Sequence, residues 1–261
     1  MDCVAKTLFR DPTKRHPLAL GDLEREIHFL STMRHPFVLY LFGACFDDPT
    51  CPIVVLERCA LTLEERIVQG YNVDPTKHKE MTEKTKLKYA LQLAQALEFL
   101  QSNQVLHRDL KPSNVFISFE DTVKLADFGL AKQLDTSGEN VKMTGETGSY
   151  RYMAPEVFSH APEYSYPADV FSFVMLLYFL FSGVRPFFDI QDGVQCAVVV
   201  AKGFRPMLKM IQTDSIRPLL TKGWVGEPER RITIHQIIPE LVSLSDQAAQ
   251  MESKTSDCYI V

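Results

Sequence analysis

Residues 170–184 form the stretch that most restricts how this chain can fold: 15 positions without a charged side chain, including two serines and a glycine. That is short for a bilayer crossing, which takes roughly 20 apolar residues, so no membrane span is expected. A helix apolar on every face needs neighbours on every face. The run therefore predicts a central pillar in a sizeable domain, with other helices packed around it. Charge agrees with a soluble globular protein, since 28 Lys+Arg against 33 Asp+Glu give a formal net charge of −5. Such a balance offers no general attraction to nucleic acid or anionic lipid, and no nucleic-acid partner is expected.

The six cysteines (Cys3, Cys45, Cys51, Cys59, Cys196, Cys258) contain no C-x-x-C pair and are sparse for 261 residues. They read as reduced thiols rather than a disulfide framework or zinc knuckle. The charged N-terminus lacks the apolar stretch of a secretory signal, and no N-x-S/T acceptor site occurs. A cytoplasmic, intracellular location is the expectation.

Periodicity divides the chain. Apolar runs predict strands at 4–9, 38–42 and 53–56, with a helix in the charged segment that ends at Leu30. From 82 to 101 the period becomes helical: Leu87, Ala90, Leu91, Ala94, Leu97 and Leu100 recur at three- and four-residue spacing. Short strands are expected at 115–117 and 123–125, and a polar loop at 136–148. The pattern is then helical from Pro155, with loops at 162–167 and 183–186. The predicted fold class is α+β: a small strand-plus-helix lobe at 1–56, a connector at 57–62, a larger helical lobe at 63–244 and a polar tail at 245–261. A cleft between two such lobes is a favoured ligand site.

Between the long helix and the short strands lies His107-Arg108-Asp109-Leu110-Lys111-Pro112-Ser113-Asn114, a charged cluster between apolar flanks. Charges in that setting need partners or a task. Further on, Asp127-Phe128-Gly129 places a carboxylate at a strand end before a glycine, a plausible hard-metal ligand on a flexible turn. Asn114 offers a neutral oxygen and Asp127 an ionised one, a pair suited to magnesium carried on phosphates.

With Ala154-Pro155-Glu156 following, these motifs stand in the order found in protein kinase catalytic domains, which the chain resembles from Val4-Ala5-Lys6 to Arg231. The resemblance implies the two-lobed kinase fold and transfer of the γ-phosphoryl group of ATP, with Mg2+, to a protein hydroxyl. It makes Asp109 the catalytic base and sets Lys111 against the transferred phosphoryl group. It gives Asn114 and Asp127 the two magnesium ions, and pairs Lys6 with the ATP phosphates and a helix glutamate. Glu24 and Glu26 compete for that pairing, and counting back from His35-Pro36 in the family's manner selects Glu26. Ala5 and Phe116 would contact adenine, Leu56 would guard the back of the pocket, and the backbone of Glu57-Arg58-Cys59 would read the base. His107 and Phe128 would stack with Leu30 and Leu41 in a column standing on Asp169, while Glu156 and Arg231 would form a buried ion pair. Taken singly, Lys6 reads as a solvated lysine, Glu26 as a surface helix residue and Asp169 as a helix cap.

Lys111 within HRDLKPSN resembles serine/threonine kinases, and residues 148–153 and 169–173 look most like the tyrosine-kinase-like group of them. Ser149 stands where that group has a threonine touching Asp109 and Lys111. Arg108 beside Asp109 is the mark of kinases switched by phosphorylation, which implies an upstream activating kinase acting at Thr144 or Thr147, ahead of Thr136 and Ser137. The resemblance also predicts a gap. Only five residues precede Lys6 and the first glycine is Gly21, so the family's glycine-rich loop has no room in this sequence. Either Met1 is an internal methionine of a longer chain, or the chain is a kinase-like interaction module that binds ATP weakly or not at all. Retention of Lys6, Asp109, Asn114 and Asp127 together favours the first.

Overall fold

The computed structural model describes residues 2–8, 18–48, 51–72, 81–134, 149–159 and 165–257. Thr136, Ser137, Thr144 and Thr147 lie outside the described residues, as does the segment 258–261.

The smaller lobe is built from β1 (Cys3–Thr7), α1 (Ala19–Thr32), β2 (Leu41–Cys45) and β3 (Ile53–Glu57). The β-branched run Ile53-Val54-Val55 makes β3 the centre of an antiparallel sheet ordered β1-β3-β2, with Lys6 opposite Val54. The second strand lies three residues later than the 38–42 expected. Val38 forms only an isolated parallel bridge to Leu125, while Leu41–Cys45 pair with β3 across a bulge between Leu41 and Gly43. Gly43-Ala44-Cys45 has little strand tendency of its own, and the edge offered by β3 decides its conformation. α1 buries Leu23, Glu26, Phe29 and Leu30, a single stripe at helical spacing that contains one carboxylate.

The chain leaves the first sheet at 58–60 and enters a second one, β4-β6-β7, made of β4 (Leu61–Thr62), β6 (Val115–Ile117) and β7 (Val123–Leu125). Between them come α2 (Leu63–Asn72), α3 (Glu83–Ser102) and β5 (Val105–Leu106), the last paired with β8 (Lys132–Gln133). Thr62 Oγ1 accepts the Glu65 N–H (3.1 Å) and the Glu65 carboxylate accepts the Thr62 N–H (2.7 Å), a reciprocal capping box that starts α2. Thr82 caps α3 by a single bond, its Oγ1 accepting the Thr85 N–H at 3.2 Å.

The remaining helices are α4 (Pro155–Phe158), α5 (Pro167–Ser182), α6 (Gly193–Ala201), α7 (Arg217–Gly223) and α8 (Ile234–Asp257). α5 is the expected pillar: from Ala168 to Ser182 every residue except Ser172 is buried. It ends at Gly183, whose φ of +70° is the left-handed turn that glycine adopts without strain. A Cβ on Gly223 would lie 2.2 Å from Val174 Cγ2, so α7 reaches α5 at a distance only glycine permits. The polar stretch after 244 is a continuation of α8, the helix that packs on α3; Ala248 still meets the core at helical spacing from Leu241 and Leu244, and beyond it the helix rests on the propensity of residues such as Ala, Gln, Met and Glu. No helix among the described residues is long and apolar enough to cross a membrane.

Candidate active site

Strand alternation puts Val4 and Lys6 on one face of β1. The Lys6 ammonium forms an ion pair with the Glu26 carboxylate, which α1 carries on its buried stripe; Glu24 is exposed. Burial raises the Glu26 pKa above its ordinary 4.5, and the Lys6 charge pulls it down. In Lys6→Met the pull is gone and the folded pKa climbs further. A carboxyl whose folded pKa exceeds its unfolded value adds stability below the unfolded pKa and loses it as pH rises through the folded one. The melting-temperature deficit of Lys6→Met against wild type is therefore expected to be small near pH 4.5 and to widen towards neutrality. A deficit that stays constant over that range would remove Lys6 as the counter-ion of Glu26.

Between the lobes lies a cleft of about 430 Å3. Val4, Ala5, Leu39, Leu56, Phe116 and Ala126 supply apolar walls, and Lys6, Glu26, Glu57, Cys59, Ser113, Asn114 and Asp127 complete the lining. Ala5, Lys6, Glu26, Leu56, Glu57, Cys59, Phe116 and Asp127, all expected at a nucleotide, thus line one cavity, whereas Arg58 and Lys111 are not in its wall. Val4, Leu39, Ser113 and Ala126 were not foreseen there; the two-residue period counted from Lys6 would have found Val4, whereas Leu39 carries no local signal. The Glu57 side chain is engaged with Lys124 (2.9 Å) and accepts the Tyr40 N–H (3.2 Å), and the Glu57 N–H donates to the Tyr40 carbonyl (2.9 Å), so only its carbonyl is left to serve the cleft. Burial pushes the Cys59 thiol up to about 12, which makes it a neutral packing group and not a nucleophile.

Behind the lining residue Asn114, Asp109 is buried, and two donors converge on its Oδ2: Lys111 Nζ at 2.8 Å and Asn114 Nδ2 at 2.9 Å. Asn114 Nδ2 also donates to the Asp109 carbonyl (2.8 Å). With its amide hydrogens committed to Asp109, Asn114 has its carbonyl oxygen for a cation. His107 Nε2 meets the Ala126 carbonyl at 3.0 Å and must donate, while Nδ1 accepts the Asp109 N–H at 3.3 Å. The two contacts select one neutral tautomer, and the ring packs edge-on against Phe128 at 5.0 Å.

Asp169 is no helix cap. α5 starts at Pro167, and the Asp169 carboxylate reaches across to accept the N–H groups of His107 (2.8 Å) and Arg108 (2.9 Å). That clamp holds Arg108 at a left-handed φ of +71°, costly for a residue with a long side chain. Burial raises the Asp169 pKa, opposed by His107 and the two amides. Leu30 and Leu41 are buried in the same core, and Phe29 lies 6.4 Å from Phe128. Asp127 also has a positive φ, +64°, in a turn that sequence reading did not tie to α1. There Arg25 donates to the Gly129 carbonyl, a contact between residues too far apart in sequence to be foreseen. Farther off, Arg231 grips Glu156 with both terminal nitrogens, at 2.7 and 3.1 Å.

Among the described residues no cluster of three His, Cys, Asp or Glu could hold a metal by itself. Asp127 and Asn114 supply one carboxylate and one amide oxygen beside the cleft, too few for a protein-built cage. That donor set fits magnesium, which keeps waters and takes its other oxygens from substrate phosphates.

Residues 3–241 match the family model of the protein kinase domain. The serine/threonine-protein kinase VIK of Arabidopsis thaliana is 35% identical over 242 residues, covering 88% of this chain and 52% of that protein. The serine/threonine-protein kinase STY17 of the same plant is 35% identical over 236 residues, covering 89% of this chain and 39% of the relative. The serine/threonine-protein kinase TNNI3K of Mus musculus is 28% identical over 253 residues, with 90% and 29% covered. The chain spans about half the length, or less, of these relatives.

Proposed function

The chain belongs to the protein kinase family, and from that premise we propose that it transfers the γ-phosphoryl group of ATP to serine or threonine hydroxyls of an intracellular protein substrate. The observation that carries the reading is the convergence of Lys111 and Asn114 on the Asp109 carboxylate, beside a cleft that also presents Asp127 and the Lys6–Glu26 pair.

The adenine would lie between the apolar walls, with the Glu57 carbonyl and the Cys59 backbone offered to its edge. Lys6, steadied by Glu26, binds the phosphates. Asp127 and the Asn114 oxygen would hold Mg2+, whose charge offsets that of the phosphate oxygens. Asp109 orients the attacking hydroxyl and takes its proton, and Lys111 sets a positive charge where negative charge develops. Lys6, Lys111 and Asn114 are each held in place by a carboxylate partner of the fold, which favours a fixed geometry at the reacting groups.

The test is transfer of labelled phosphate from ATP to a generic protein substrate, with and without Mg2+, followed by phosphoamino-acid analysis. Magnesium-dependent phosphoserine or phosphothreonine is expected. Binding of nucleotide without transfer by any substrate would replace this reading with a kinase-like interaction module. Switching belongs to the same proposal: an upstream kinase would modify Thr144 or Thr147, and the phosphate would be read by Arg108. Replacing both threonines by alanine is expected to abolish activation by phosphorylation, and a doubly substituted chain that is still activated would exclude these sites.

A further inference from the structure

α6 has no charged residue in its 9 positions. Gly193, Cys196, Ala197 and Val200 face inward, where the helix packs on α4 and the turn Ser149–Tyr152. The outward face carries no charge either, and Gln195 is its one exposed polar side chain. Val194 is 38% exposed, half-buried Val198 and exposed Ala201 follow at helical spacing, and Phe188 (47%), Phe204 (63%) and Met207 (45%) extend the stripe beyond both ends. A helix on a domain surface normally turns charge to water, and a contiguous exposed apolar patch with a charged rim marks an interaction site.

The rim is ordered. Exposed Asp192 caps the N-terminal end of the helix, with exposed Asp189 shortly before it, and exposed Lys202 caps the C-terminal end, with exposed Lys209 after it in the chain. No Lys or Arg occurs from 186 to 201, and no Asp or Glu from 193 to 213. Along the helix the order is therefore acidic, apolar, basic. We propose that this face joins two copies of the chain, with α6 packed antiparallel on α6 about a two-fold axis near Val198. A two-fold interface must be complementary to itself, and this ordering is. The rotation sets Asp189 and Asp192 of one copy against Lys202 and Lys209 of the other, twice over, and lays the apolar stripes on each other. A uniformly acidic or uniformly basic partner would be repelled at one end. α6 is only about 13 Å long, so the contact falls at the small end of specific interfaces and gives a reversible dimer. The proposal stands independently of the phosphoryl-transfer reading.

Sedimentation velocity of the 261-residue chain over a concentration series is the test. A concentration-dependent dimer is expected. Asp189→Lys and Lys202→Glu each create two like-charge pairs across the axis, and each is expected to weaken self-association at least about tenfold. Asp189 is chosen over Asp192 because Asp192 Oδ1 accepts the Val194 N–H at 2.8 Å and caps the helix. Mixed in equal amounts, the two variants regain attraction at both ends and are expected to form a heterodimer. Both sites are exposed, and unchanged melting at low concentration checks that folding is intact. A chain that stays monomeric at every concentration overturns the proposal. So does a dimer indifferent to both reversals, or a mixture that fails to associate.

Discussion

Asp109→Asn is expected to lower the rate of phosphoryl transfer by about a hundredfold to ten-thousandfold, the range spanned by a positioned general base. Thermal stability and nucleotide affinity should stay close to wild type. The geometry explains why these effects separate. Lys111 and Asn114 both donate to the same oxygen, Oδ2, and an asparagine can present its single carbonyl oxygen there and keep both bonds. What it cannot do is accept a proton from the substrate hydroxyl. The fall should appear in kcat with KM for ATP little changed, because neither the lining of the cleft nor the Lys6–Glu26 pair is touched. Transfer at the wild-type rate would remove Asp109 from the mechanism. A parallel fall in ATP affinity would mean that the carboxylate serves the binding of the nucleotide instead.

How much of this was legible in the sequence depends on how far apart the cooperating residues lie. Asp109, Lys111 and Asn114 sit within one short loop, so their spacing alone brings them together, and the pillar α5 was visible because burial on all faces leaves an unbroken apolar run. Of the two competing glutamates, Glu26 carries the better signal. It shares helical spacing with Leu23, Phe29 and Leu30, and a carboxylate on an apolar stripe needs a cation, which turns out to be Lys6. Contacts made across the fold were not legible. Arg25 at the Gly129 carbonyl, Lys124 on Glu57 and Leu39 in the cleft wall are set by how the lobes meet, and no local pattern encodes them. β2 and the end of α8 failed for a related reason. Gly43-Ala44-Cys45 takes its form from β3, and the last turns of α8 are helical by propensity without the apolar period that identifies a packed helix.

The largest effect on stability is expected from Arg231, whose guanidinium is fully buried and joins three segments of the larger lobe. It grips both Glu156 oxygens on α4, donates to the Pro167 carbonyl at the start of α5 (2.6 Å), and reaches the Val225 and Gly226 carbonyls (3.0 and 3.2 Å). Its charge also lies over the Phe171 ring at 5.0 Å. Arg231→Met leaves Glu156, itself only 11% exposed, as a largely buried carboxylate without its counter-ion, and strips a donor from each of three carbonyls. Breaking a buried pair in this way costs about 3–5 kcal/mol, which corresponds to a fall in melting temperature on the order of 10 °C for a chain of this size. Arg231→Lys restores the charge but not the planar fork, and should recover only a minor part of the loss. The discriminating variant is the double one. Adding Glu156→Leu to Arg231→Met removes the stranded charge, so the double variant should melt above the single one, a coupling that independent surface residues would not show. If the two substitutions simply add, the pair is not a unit, and the stability of this junction rests on the carbonyl contacts of Arg231 instead.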